Sequence, residues 1–70
     1  MQRVSVISSA LASVGYDELT KTLEVLFHSG HVYQYFGVPY HIYASLIGAP
    51  SKGKFFHQFV RLEMFFDKLV

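Results

Sequence analysis

The sequence predicts an α+β fold, in which a three-stranded antiparallel meander sheet is followed by one or two C-terminal helices. Two patterns lead to this class. Apolar and polar residues alternate in the first half of the chain, whereas apolar residues recur every three or four positions near its end. The length predicts a single domain over residues 1–70, because 70 residues can bury one hydrophobic core.

The three strands are expected in sequence order. The first covers Ala10 to Tyr16 and ends at Asp17, whose carboxylate can close a turn with its own backbone. The third covers His31 to Phe36, which is rich in aromatic and β-branched residues. The second strand lies between them and has the clearest alternation, because Leu23, Val25 and Phe27 are interleaved with Thr22, Glu24 and His28.

Ser29-Gly30 predicts a hairpin between the second and third strands, and two registers are open. A two-residue loop is favoured, and it places Tyr33 and Tyr35 on the same face as Glu24. A bulge at Gly30 adds one residue to the loop and places both tyrosines beside Val25 instead. The register therefore decides which face of the sheet carries the tyrosines.

The second half of the chain has helical signals. The first helix is expected from Pro39 to about Ile47, because proline suits a first helical position and Gly48 provides a stop. Ser51 is the expected N-cap of a second helix. Its apolar positions continue almost to the end of the chain, at Phe55, Phe59, Leu62, Phe66 and Leu69.

Charge is scarce and unevenly distributed. Only 16% of the residues are charged, the net charge is +1, and no Asp, Glu, Lys or Arg occurs between Glu24 and Lys52. This predicts an apolar surface that a partner covers. A transmembrane helix and a signal peptide are not expected, because polar residues interrupt every long apolar run. The absence of cysteine fits a cytoplasmic protein.

The order and spacing of several short motifs resemble the KTSC domain family. The resemblance is strongest over residues 8–61. The motifs are Ser8-Ser9, Val14-Gly15-Tyr16-Asp17, the alternating Leu23, Val25 and Phe27, then Gly30, Tyr33-Gln34-Tyr35, Val38-Pro39, Tyr43, Ala49, Ser51, Gly53 and Phe56. The family is named for its occurrence at the C-terminus of some lysyl-tRNA synthetases and also occurs as a stand-alone bacterial protein. The resemblance implies a relation to tRNA and translation.

Five residues form the candidate binding surface: Tyr33, Tyr35, Lys52, Lys54 and Arg61. Two aromatic rings on one strand face could stack unpaired bases, while the three cations contact phosphate. The alternative interpretation is that the tyrosines pack a core or a subunit interface and that the lysines are solvated residues after a serine cap.

Neither a metal site nor a catalytic site is expected. His28 and His31 could face each other across the hairpin, but two imidazoles do not complete a metal site. The five carboxylates and four histidines have no spacing that enforces a triad or a carboxylate pair. The expectation is therefore a chain without cofactor, metal or catalytic residues.

The sequence as a whole predicts a non-catalytic protein-interaction module that self-associates as a dimer or binds a host protein. It would bury the uncharged sheet face or the phenylalanine-rich helix. The alternative is an RNA-binding or tRNA-binding accessory domain related to translation. No membrane partner is expected.

Overall fold

In a computed structural model, which describes residues 2–58 and 65–68, the chain forms one antiparallel sheet with two helices packed on one face. The strands lie in the sheet in sequence order. The elements are β1 (Val4–Ser5), β2 (Leu11–Asp17), β3 (Thr22–Phe27), β4 (Val32–Phe36), α1 (Tyr40–Gly48), α2 (Lys52–Phe56) and β5 (Phe65–Lys68).

The α+β class and the antiparallel meander are confirmed, but the sheet has five strands rather than three. The three expected strands are β2, β3 and β4. The additional strands lie at the two edges, where β1 pairs with β2 and β5 pairs with β4. With only two residues, β1 is too short to give a periodic pattern in the sequence.

The Gly30 bulge, not the favoured two-residue loop, connects β3 and β4. Phe27 N–H donates to the His31 carbonyl at 3.0 Å, and Gly30 N–H donates to the Phe27 carbonyl at 2.9 Å. Gly30 has a φ of 94°, which glycine adopts at little cost. The register pairs Val25 with Tyr33, so both strand tyrosines lie on the face that the helices cover and not beside Glu24.

The first helix is confirmed as α1, which begins after Pro39 and ends one residue beyond the expected Ile47. The second begins after Ser51 as expected, although the Ser51 side chain makes no capping hydrogen bond. Its predicted extension is wrong at Phe65–Lys68, which is a strand. The edge of β4 offers unpaired backbone groups, and Phe65-Phe66 has the aromatic character that strands favour. Residues 59–64 and 69–70 of that prediction lie outside the described part.

The hydrophobic core lies between the sheet and the helices. Val38 lies in the connection before α1, Leu46 lies in α1, and Phe56 lies in α2. In the described part of the chain, the buried cluster contains Leu11, Val14, Leu23, Val25, Tyr35, Val38, Leu46 and Phe56. In the described residues, neither helix is long and apolar enough to cross a membrane.

Candidate interaction surfaces

The two strand tyrosines belong to the interior of the domain. Tyr35 is only 2% exposed, and its ring meets Phe56 edge-on at a centroid distance of 5.1 Å. Tyr33 is half-buried and meets Phe27 edge-on at 5.6 Å. The Tyr35 ring therefore offers no open face for a nucleobase, and its position matches the alternative interpretation of a core residue.

The predicted cations do not all face solvent in the same way. Lys52 Nζ donates to the carbonyl oxygen of Ala49 at 3.1 Å, so it stabilises the C-terminal end of α1. Lys54 is exposed. Arg61 lies outside the described residues. Among the four predicted binding residues that the structure describes, Lys54 is the one that is exposed.

Lys54 borders an open depression between α2 and the loop before β2. The lining residues are Ser9, Ala10, Ser51, Gly53, Lys54, His57 and Gln58. The loop is held by Ser8, whose Oγ accepts hydrogen bonds from the N–H groups of Ala10 and Leu11 at 3.2 and 3.3 Å. Among the described residues that line this depression, Lys54 carries a positive charge and none is a carboxylate.

His28 has a structural role at this end of the sheet. Its Nε2 lies 2.8 Å from the carbonyl oxygen of Ser8. Because a carbonyl can only accept, Nε2 carries the proton in this contact. The ring of His28 therefore fixes the Ser8 loop to the hairpin.

Within the described residues, no three His, Cys, Asp or Glu side chains form a group that could hold a metal.

A cluster of tyrosines lies at the opposite end of the sheet. Tyr16 stacks on Tyr43 with a centroid distance of 4.9 Å, and Tyr40 meets the Tyr16 ring edge-on at 6.0 Å. Tyr16 Oη donates to the Val38 carbonyl, and Val38 N–H donates to the Lys21 carbonyl at 2.9 Å. These two bonds connect the β2–β3 turn to the β4–α1 connection.

Two carboxylates, those of Asp17 and Glu18, act on Tyr16 at this end of the sheet. Burial is the main factor that raises the pKa of Tyr16, and the charges of Glu18 and then Asp17 add to it. Asp17 also closes the turn as the sequence predicted, because its Oδ1 accepts from Leu19 N–H at 2.9 Å. Glu18 and Lys21 are exposed in this turn, and Asp17 is half-buried.

Large apolar side chains are exposed at both ends of the sheet. Leu19 is 95% exposed in the β2–β3 turn, where Tyr40 is 54% exposed on the adjoining helix. Ile7 is 97% exposed beside the Ser8 loop at the other end. The sequence reasoning missed all three. The available signal was an apolar residue within a polar turn or loop, as in Asp17-Glu18-Leu19-Thr20.

The face of the sheet opposite the helices is polar at its centre. Glu24 accepts hydrogen bonds from Arg3 Nη1 at 3.1 Å and from Gln34 Nε2 at 3.0 Å. Gly15 lies beside Glu24 in the register and leaves room for the chain near Arg3. The centre of this face is therefore charged and hydrogen-bonded.

Comparison with known proteins assigns the family. The family model described as the KTSC domain matches residues 7–65. The chain belongs to the KTSC domain family. The crystal structure of a KTSC domain protein from Yersinia pestis superposes with a TM-score of 0.95 at 36% identity, covering 99% of this chain and 97% of that one.

Other relatives carry the KTSC domain in two sizes of protein. This chain is 43% identical over 54 residues to a lysine–tRNA ligase of Trichormus variabilis, and the match covers 77% of this chain but 10% of the ligase. It is 45% identical over 58 residues to an uncharacterised protein of Stutzerimonas stutzeri, where the match covers 83% and 82% of the two chains. The chain thus spans about a tenth of the matched ligases, so their activity does not transfer with the match.

Proposed function

We propose that this KTSC domain is a non-catalytic protein-interaction module that self-associates in the cytoplasm. The observation that carries the proposal is the near-complete exposure of Leu19 and Ile7, with Tyr40 more than half exposed. When a partner removes exposed apolar side chains of this size from water, the free energy falls and association is favoured. The surfaces proposed here are the two ends of the sheet, in place of the sheet face or the phenylalanine-rich helix.

The relatives add a second form of the same proposal. Where the domain makes up about a tenth of a lysine–tRNA ligase, the rest of that chain is a host protein to which the same ends could bind. A stand-alone chain would use a second copy instead. Both forms need exposed apolar residues and no catalytic group.

Sedimentation velocity of the wild-type chain over a wide concentration range tests self-association. We expect the weight-average mass to rise with concentration, and to rise less in Leu19→Ser. Val4→Ser, at another partly exposed position, is the matched control. A constant monomer mass at every concentration would remove the basis of the proposal.

A second candidate is an accessory domain that binds tRNA, and the lysine–tRNA ligase relatives favour it. Lys54, beside a depression whose described lining residues include no carboxylate, would contact phosphate. We would titrate the protein with tRNA at two salt concentrations. Binding that weakens with salt and in Lys54→Ala, but not in Lys21→Ala at the other end, would support this role. Undetectable binding at the lower salt concentration would end it.

A further inference from the structure

The two ends of the sheet differ in charge. The β2–β3 turn has Asp17 and Glu18 with Lys21, a net charge of −1. The Ser8 loop and the start of α2 form the other end, where Lys54 is exposed and the described residues that line the depression include no carboxylate. The six residues of β3 separate the ends by about 17 Å.

Both ends also offer an aliphatic side chain to solvent. Leu19 is 95% exposed beside the acidic residues, and Ile7 is 97% exposed beside the loop that Lys54 borders. We call these the turn end (Asp17, Glu18, Leu19, Tyr40) and the loop end (Ile7, Ser9, Lys54). Each end is therefore apolar at one position and charged at another, with opposite signs.

From this complementarity we propose that the chain associates head to tail, with the turn end of one copy against the loop end of the next. The inference rests on the proposed self-association and names its surfaces. A symmetric contact between two turn ends would bring together two surfaces that each have a net charge of −1, which like charges oppose. A head-to-tail contact pairs Glu18 with Lys54 and Leu19 with Ile7.

A head-to-tail contact leaves one unused turn end and one unused loop end on every assembly. Association then continues into longer chains or rings instead of stopping at a two-fold dimer. The end faces of so small a domain bury less area than a standard stable interface, so the association is weak. The mean mass therefore rises gradually with concentration.

Two double variants separate this arrangement from any other. Glu18→Lys with Leu19→Ser blocks the turn end, and Ile7→Ser with Lys54→Ser blocks the loop end. All four side chains are exposed, so these changes leave folding largely intact. Ser45→Lys, on the exposed side of α1, controls for added positive charge.

Sedimentation velocity and native mass spectrometry provide the readout. We expect each double variant alone to be monomeric, their equimolar mixture to form a 1:1 heterodimer and no larger species, and the wild type to exceed a dimer. High salt should weaken the heterodimer. If the wild type associates but the mixture stays monomeric, the head-to-tail contact is refuted while self-association stands. If the wild type itself is monomeric, both proposals fail.

Discussion

The guanidinium of Arg3 donates to Oε2 of Glu24 at 3.1 Å, although strand β2 lies between them. The contact depends on Gly15, which faces Glu24 in the register. A Cβ at Gly15 would lie 2.7 Å from the Gln2 carbonyl oxygen and 3.1 Å from Arg3 Cγ. The missing side chain therefore allows the N-terminal segment to cross β2 and place Arg3 within reach of the carboxylate.

Gly15→Ala should destabilise the domain by about 1–3 kcal/mol, the usual range for overpacking, because the obstructing atom belongs to the Gln2 backbone and the N-terminal segment must move. Urea unfolding measures this change. Gly48→Ala is the matched control, since its added Cβ meets nothing within 4 Å and alanine is the better helix former. Equal stability of the two variants would show that the segment at Gln2 and Arg3 does not need the space at Gly15.

The Arg3–Glu24 pair should have a favourable coupling free energy of about 1 kcal/mol, above that of a fully exposed pair. The side chains are 31% and 12% exposed, so water screens the pair incompletely. A double-mutant cycle with Arg3→Gln and Glu24→Gln in urea unfolding measures the coupling. A value near zero would mean that Gln34 alone satisfies the carboxylate.

Tyr35→Ala should cost about 3–5 kcal/mol, as expected for a large aromatic ring removed from a core. Tyr33→Ala should cost less, because the Tyr33 side chain is only half-buried. Thermal unfolding followed by circular dichroism compares the two. A smaller loss for Tyr35→Ala than for Tyr33→Ala would contradict the assignment of Tyr35 to the core.

The alkaline stability of the domain should depend on Tyr16. Its folded pKa is raised, so the folded state holds the proton more tightly than the unfolded state. This contribution is present below the unfolded pKa and is lost as pH rises through the folded value, that is, above about pH 10. Unfolding free energies measured from pH 7 to 11 should fall less steeply in Tyr16→Phe.

Tyr16→Phe should also lose about 1 kcal/mol at pH 7, because the hydrogen bond to the Val38 carbonyl is removed. Tyr40→Phe, which removes a hydroxyl from an exposed ring of the same cluster, is the control. If the unfolding free energy of the wild type fell with pH no more steeply than that of Tyr16→Phe, this would argue against a raised pKa of Tyr16.

Much of the fold follows from local patterns. The alternation around Val25 and the proline before α1 predicted β3 and the first helix, because both depend on a few adjacent residues. The hairpin register could not be predicted from adjacent residues alone, since the choice between two loops at Gly30 depends on how β4 packs against the helices. The Phe65–Lys68 strand was missed for a similar reason, because only the assembled sheet offers the edge of β4.

The candidate surfaces were predicted less well than the fold. Tyr33 and Tyr35 were candidates both for stacking bases and for packing a core or a subunit interface, because an aromatic pair serves either purpose. Their positions depend on the hairpin register. Leu19 and Ile7 gave little signal, since a single apolar residue in a loop is ordinary, and only its exposure in the folded chain distinguishes it.

The sequential strand order also bears on how the chain acquires its structure. β2, β3 and β4 each pair with the strand that precedes them in the chain. These pairings therefore close short loops at a small entropic cost. The β4–β5 pairing instead joins segments separated by both helices. During synthesis on the ribosome, the first four strands could therefore assemble before the final strand has emerged.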